Sequence, residues 1–107
     1  MSKITLTHDK QEYILEYSRQ SVKTIESRGF NIDEITTKPM TMIPLLYEGA
    51  FVKNYSGKVK RKVMDEIYEG IGDKTGFIQA LAEMYGETLA SLTEDNAEGN
   101  VTWAMVK

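Results

Sequence analysis

Apolar and polar residues alternate at the start of the chain, which predicts a β-hairpin over residues 3–17. The apolar positions recur at every second residue: Ile4 and Leu6, then Tyr13, Leu15 and Tyr17. A period of two, with β-branched and aromatic residues on both sides of a polar turn at residues 8–11, is typical of two half-buried strands. Because an isolated hairpin is marginally stable in water, we expect a helix on its apolar face or another chain along its edge.

Apolar residues then recur at helical spacing and predict four helices. Their approximate bounds are residues 18–28, 39–55, 60–71 and 75–93. Ser18 and Thr75 are suitable N-caps, and Gly29 follows the first helix at a place where a left-handed residue commonly ends one. Pro39 suits the first turn of the second helix, although Pro44 leaves open a start at that later position.

These elements together predict a single α+β domain over residues 1–94, in which the hairpin packs on a bundle of about four helices. The length of 107 residues suits one compact domain. Residues 95–107 are predicted to form a flexible C-terminal tail. A polar stretch there precedes a short strand-like alternation at Val101, Trp103 and Met105.

Residues 40–52 are almost entirely apolar, so a helix there is apolar around its whole circumference. Such a helix is buried on all sides. It is either the central helix of the domain or packed partly against another subunit, and the two interpretations are compatible. A domain of this size has difficulty burying a whole helix because its surface fraction is large. Trp103 is a second candidate for a docking contact, on its own domain or on a neighbour.

Charged residues are separated along the chain, although the net charge is only −3. Lys58, Lys60, Arg61 and Lys62 form a basic cluster, whereas residues 75–106 contain acidic residues and no Lys or Arg. Opposite regions of two copies can therefore meet head to tail and build a ring or an open spiral. The alternative is that the acidic helix folds back on the basic one within a single chain, and the sequence leaves both open.

No combination of residues in the sequence predicts an active site, and we expect no enzyme, no cofactor and no metal centre. The one histidine, His8, lies in the predicted turn without a nucleophile or an orienting partner, so a solvated residue is the simpler interpretation. Asp65, Glu66 and Glu69 have no His or Cys neighbours and would favour only a weakly held hard cation. A solvated helix face with Lys62 paired to Glu66 is favoured instead.

The sequence also bears on location. It has no apolar run of the roughly 18 residues that a membrane-spanning helix needs, and its N-terminus lacks the apolar stretch of a signal peptide. Cysteine is absent, which suits a reducing compartment. We therefore expect a cytoplasmic protein without a membrane partner.

Five stretches cover most of the chain and carry a resemblance to a known family: EYILEYSRQSVKTIESRGFNIDEI, KPMTMIPLLYEGAFVKNY, KRKVMDEIYEGI, FIQALAEMYGETLASL and EGNVTWAM. They resemble small tail assembly chaperones of long-tailed phages or prophages of Gram-positive hosts. The resemblance implies a protein that binds the tape measure protein and keeps it soluble until tail tube subunits polymerise around it. It also implies self-association, a longer form made by translational frameshifting, location in the host bacterial cytoplasm and absence from the mature virion.

Two groups of residues are predicted to make contacts on this hypothesis. The partner-binding residues are Met42, Leu46, Phe51, Tyr55 and Trp103, and the self-association residues are Lys60, Arg61, Glu83 and Glu87. Two alternatives stay open: another phage structural or tail-completion protein, and a small nucleic-acid-binding regulator that uses the basic cluster. The acidic balance of the chain argues against the regulator, because nucleic-acid-binding domains usually carry a broad basic face.

Overall fold

The chain folds as an N-terminal antiparallel hairpin followed by helices, in a computed structural model that describes residues 2–107. The elements are β1 (Ile4–His8), β2 (Gln11–Leu15), α1 (Arg19–Ser27), α2 (Pro39–Gly49), α3 (Val52–Tyr55), α4 (Arg61–Glu69) and α5 (Lys74–Ser91), with a 3-10 turn at Ile32–Glu34. The predicted α+β class with its N-terminal hairpin is confirmed. The described residues form five α-helices, whereas the sequence predicted about four.

The hairpin turn is shorter than predicted. Asp9 and Lys10 alone form it, with φ angles of 50° and 65°, as in the type I′ turns that suit the twist of two-residue hairpins. His8 and Gln11 are therefore paired strand residues rather than turn residues. The same register places Leu6 opposite Tyr13 and Ile4 opposite Leu15, so the apolar side chains share one face of the sheet.

The outer edge of β2 is covered by the segment that follows α2. The backbone N–H of Glu16 donates to the carbonyl of Ala50 at 3.2 Å. The N–H of Ile14 donates to the Tyr55 hydroxyl at 2.8 Å, and the Asn54 side-chain amide donates to the Ile14 carbonyl at 3.0 Å. This segment of the chain takes the place of a third strand along β2.

The first helix begins and ends as the sequence predicts. The Ser18 hydroxyl accepts from the N–H of Ser21 at 3.1 Å, and the Ser21 hydroxyl accepts from the N–H of Ser18 at 2.8 Å. This reciprocal cap satisfies two of the N–H groups that a helix start leaves free. Gly29 follows with a φ of 99°, a left-handed conformation that costs little only for a residue without Cβ.

The predicted helix over residues 39–55 is divided in two. At the division, the N–H groups of Ala50 and Phe51 donate to the carbonyls of Tyr47 and Glu48, each at 3.1 Å and three residues back. In this tighter turn the N–H of Ala50 does not bond to the Leu46 carbonyl, which accepts instead from the Tyr17 hydroxyl. The Ala50 carbonyl accepts from the N–H of Glu16, just after β2. The helix is therefore interrupted by a contact distant in sequence, which local periodicity does not reveal.

The last two helices begin close to the predicted residues: α4 begins at Arg61 rather than at residue 60, and α5 begins at Lys74 rather than at residue 75. The side chain of Asp73 caps α5 by accepting from the N–H of Gly76 at 2.9 Å. Thr75, the predicted cap, lies inside the first turn of a helix that starts at Lys74. Both residues suit an N-cap, and the more strongly accepting carboxylate occupies the position.

The core lies between the apolar face of the hairpin and the inner faces of α1, α2 and α5. Its most deeply buried large side chains are Leu15, Ile25, Leu46, Phe51 and Leu81. The hydroxyl of Tyr17 donates to the Leu46 carbonyl at 2.6 Å inside this core. Among residues 2–107, every fully buried side-chain nitrogen or oxygen has a hydrogen-bond partner, so the interior carries no unpaired polar group that would suggest a missing ligand.

Substitution of two helical glycines should have opposite effects. A Cβ at Gly49 would collide with the Ile25 side chain, so we expect Gly49→Ala to lower the free energy of unfolding by about 1–3 kcal/mol. Gly86 lies in α5 with open space around its Cα. Gly86→Ala should raise the free energy of unfolding by about 0.5–1 kcal/mol. Denaturant unfolding of both variants checks this, and a neutral Gly49→Ala would contradict the close packing of α1 on α2.

The protein should lose stability in alkali. Burial raises the pKa of Tyr17 and of Tyr47 far above their ordinary value near 10, and burial together with Glu26 raises that of Tyr85 to about 12. Since the folded state disfavours the ionised form, stability is retained below pH 10 and lost as the pH rises above it. Denaturant unfolding at a series of pH values tests this. Tyr17→Phe should lower stability at neutral pH and weaken the alkaline dependence.

Candidate binding groove

An open groove lies between the outer face of α2 and α4. Its volume is about 510 Å³. Its lining is formed by Pro39, Met40, Ile43, Pro44, Tyr47, Glu48, Asp65, Tyr68 and Glu69. We name this the α2–α4 groove.

The composition of α2 explains why the groove is apolar. Met42 and Leu46 point into the core, with 4% and 0% of their surface exposed. The helix has apolar residues on its other side too, and there Met40 is 89% exposed beside Ile43 and Pro44. A small domain has too little interior to cover both sides of such a helix. The expectation of burial on all sides is therefore wrong for the chain by itself.

Aromatic rings form one wall of the groove and join α4 to the core. The Tyr47 ring lies 5.2 Å from that of Tyr68 and 5.8 Å from that of Phe77, both edge to face. The Tyr47 hydroxyl donates to the Met64 carbonyl on α4 at 2.6 Å. Burial, reinforced by the charges of Asp65 and Glu48, raises its pKa, so the hydroxyl keeps the proton that it donates.

The rim of the groove is mainly acidic. Glu48 pairs with Arg61 at 3.0 Å, whereas Asp65 and Glu69 make no ion pair with any other residue in the range 2–107. Lys74 places its ammonium 5.6 Å from the centre of the Tyr68 ring and donates to the Ile71 carbonyl at 2.9 Å. A lining with apolar residues beside carboxylates suits apolar side chains flanked by Lys or Arg.

Three of the predicted partner-binding residues belong to the core instead. Met42, Leu46 and Phe51 are 4%, 0% and 1% exposed, so a partner cannot reach them while the domain is folded. Their assignment as contacts is therefore wrong. The accessible face is the outer face of α2, with Met40 and Ile43. Periodicity could not distinguish the two faces because both are apolar. The only local signal was Pro44, which lacks an N–H and so suits a solvated side of the helix.

The other two predicted partner-binding residues lie apart from the groove. Tyr55 is half-buried, and its hydroxyl is occupied by the N–H of Ile14. Trp103 is 86% exposed and belongs to neither the core nor the groove lining. Trp103 therefore stays a candidate contact, whereas Tyr55 has a structural role beside β2.

The predicted self-association residues do not engage one another within the chain. Arg61 pairs with Glu48, and the carboxylate of Glu87 accepts from the hydroxyl and the N–H of Ser2, at 2.9 and 3.2 Å. Lys60 and Glu83 are exposed and make no ion pair in the described part of the chain. The acidic helix α5 is therefore not folded back on the basic cluster through these residues.

The structure also revises the environment of the histidine. His8 is half-buried at the end of β1, with Nε2 3.6 Å from Asp9 and 3.8 Å from Glu66. The expectation of a solvated turn histidine is wrong, and Glu66 faces His8 without pairing to Lys62. No group of three or more acidic, His or Cys side chains within residues 2–107 is arranged to hold a metal ion.

The C-terminal segment is a second exposed apolar surface. Its apolar side chains at Val101, Trp103, Met105 and Val106 are all largely solvent-exposed. The strand-like alternation finds no pairing partner among residues 2–107. We name residues 101–106 the apolar tail segment.

Comparison with known families bears on the whole chain. A family model described as a domain of unknown function, DUF5055, matches residues 1–106. The chain belongs to the DUF5055 family. Because the DUF5055 match reaches residue 106, it includes the apolar tail segment as well as the helices of the groove. Neither the curated proteins nor the solved structures contain a match.

No helix in residues 2–107 combines the length and the apolar character that crossing a membrane demands.

The tether between Tyr47 and α4 should be measurable. Tyr47→Phe keeps the ring but removes the bond to the Met64 carbonyl, so we expect a loss of about 0.5–1.5 kcal/mol in the free energy of unfolding. Amide exchange in α4 should accelerate more than in α5. Tyr68→Phe is the matched control, since its hydroxyl makes no hydrogen bond with residues 2–107. Equal exchange rates in the two variants would contradict a role for the Tyr47 hydroxyl in holding the groove together.

Proposed function

We propose that this protein is a phage tail assembly chaperone that binds the tape measure protein and keeps it soluble while the tail assembles. The observation that carries the proposal is the α2–α4 groove, where Met40 is 89% exposed. Concave, mostly apolar clefts with a few polar groups at their edge are the usual form of a binding site. The resemblance of the chain to tail assembly chaperones supplies the identity of that partner.

The groove supports binding by an amphipathic helix. Such helices present apolar side chains three and four residues apart, and grooves of this kind bind them through those anchors. Met40, Ile43 and Tyr68 would contact the apolar stripe, and Asp65 and Glu69 would contact basic residues beside it. The tape measure protein is expected to be long and helical, so it can offer many such segments to many copies.

Release requires no chemical step on this proposal. A single groove of modest volume binds weakly, and copies joined by self-association gain strength through avidity. Tail tube subunits that compete for the same helical stripes would displace the chaperone copies one at a time. The protein would act in the host bacterial cytoplasm, together with a frameshifted longer form, and would be absent from the mature virion.

Co-expression with the tape measure protein of the same phage tests the proposal. The wild-type chain should raise the soluble fraction of the tape measure protein several-fold. Met40→Asp places a charge in the apolar lining of the groove and should abolish most of that gain, because a charge left buried and unpaired under the partner opposes binding. Leu92→Asp is the matched control, since Leu92 is also an exposed apolar residue, at 68%, but lies outside the groove.

Three results would count against the proposal. These are a wild-type chain that leaves the tape measure protein insoluble, equal loss in the two variants, and the protein persisting in finished particles. Persistence in particles would favour the structural or tail-completion alternative. Binding to random DNA that weakens steeply with salt would favour the nucleic-acid alternative instead.

A further inference from the structure

We propose that the apolar tail segment of one copy adds as an antiparallel strand to the outer edge of β1 in a second copy. The proposal deepens the self-association in the proposed function and rests on it for its biological role, although its geometry comes from the fold alone. It joins two surfaces that the described chain leaves without partners: a free strand edge and an exposed apolar segment.

The two edges of the hairpin differ in how they are covered. On β2, the outward N–H and carbonyl of Ile14 and the N–H of Glu16 are bonded to Tyr55, Asn54 and Ala50. Thr5 lies opposite Ile14 in the register, so its N–H and carbonyl point outward on the other side. Those of Thr7, two residues on, point the same way. Within residues 2–107 no group bonds to them, and such an edge is a template for another strand.

The tail segment has the features of a missing strand. It contains no proline, its apolar residues alternate at Val101, Trp103 and Met105, and these side chains are exposed. The molecule is 56 Å long with a radius of gyration of 16.2 Å, against about 13 Å for a compact chain of this length. The tail thus extends away from its own domain.

One register pairs the free edge of β1 with the apolar tail segment so that hydrogen bonds form and apolar side chains meet. With Trp103 placed opposite Leu6, Ala104 faces Thr5 and Thr102 faces Thr7. The outward groups of both threonines then form ladder bonds, and Thr–Thr is a favourable cross-strand pair. Met105 would lie beside Ile4. Since Ile4 and Leu6 are only half-buried at the margin of the core, the added strand would extend the apolar face that they begin.

Charge favours the antiparallel direction. In this register Lys107 lies opposite Ser2, whose hydroxyl is bonded to the carboxylate of Glu87. Glu98 would come close to Lys10 at the turn. The parallel direction would instead bring Glu98 toward Glu87 and Lys107 toward Lys10. The antiparallel direction therefore brings Lys107 of one copy close to Glu87 of the second copy, where the charges are opposite.

The sequence offers a clean cross-linking test because it contains no cysteine. Thr5→Cys and Ala104→Cys chains are purified separately, mixed at high concentration and oxidised. Directly opposed strand residues lie within disulfide range, so the mixture should form a Thr5–Ala104 cross-linked dimer. Thr5→Cys mixed with Leu92→Cys is the control, since Leu92 is exposed but outside the tail segment. Peptide mapping identifies the linked pair.

A chain carrying both Thr5→Cys and Ala104→Cys separates contact between copies from contact within one. Nine residues, 92–100, precede the segment and can span roughly 30 Å, so a link within one chain is within reach. Cross-linking confined to monomers of the double variant, no cross-link in the mixture, or equal yield with Leu92→Cys would each overturn the proposal.

Light scattering over a concentration series measures self-association independently of cysteine cross-linking. Thr5→Pro removes an outward N–H without touching the β1–β2 ladder, and Trp103→Ala removes the central side chain of the donor. Each should raise the dissociation constant for self-association at least about tenfold, with circular dichroism confirming the fold. Leu92→Asp should leave the dissociation constant unchanged.

A wild-type chain that stays monomeric overturns the inference. Because these assays contain the chain alone, that result would leave tape measure binding by the groove to be judged separately.

Discussion

The structure depends on how the outward N–H and carbonyl groups of β2 are hydrogen-bonded, since the sheet has only two strands. β2 is buried against the helices, and its outward N–H groups have no third strand to bond. Because α2 ends at Gly49 and the chain turns there, the Ala50 carbonyl accepts from the N–H of Glu16, just after β2, and the Tyr55 hydroxyl accepts from the N–H of Ile14. Because an unpaired buried N–H costs about 1–3 kcal/mol, these bonds fix where the long apolar stretch bends and which of its faces enters the core.

The groove follows from that orientation. Because Met42 and Leu46 are buried in the core, Met40 and Ile43 lie on the outer face of α2, next to α4. The Tyr47 side chain contacts both the core and α4. Its ring packs in the core with Phe51, and its hydroxyl donates to the Met64 carbonyl of α4. A partner that occupies the groove would therefore contact the same aromatic cluster that stabilises the domain.

The sequence predicted those features that local chemistry determines. Alternation located the hairpin, and the pair of Ser18 with Gly29 located α1, since caps and left-handed glycines act over a few residues. The division at Ala50 was missed because its cause, Glu16, is distant in sequence. The choice of groove face was missed because a uniformly apolar helix has no preferred side, so Met42 and Leu46 were assigned to a partner. Trp103 was predicted to dock on its own domain or on a neighbour. It is exposed and does not pack on its own domain, so a contact with a neighbour stays a prediction.

The contrast between the sealed edge of β2 and the free edge of β1 has a consequence for growth. If copies join through the tail segment, each copy carries one donor and one acceptor. Assemblies are then unbranched, and where the rotation does not close a ring they elongate as filaments with polarity. A copy without the tail segment could accept a neighbour but donate to none. It would stop elongation at that end, and the ratio of such copies to full-length ones would set the mean length of the assembly.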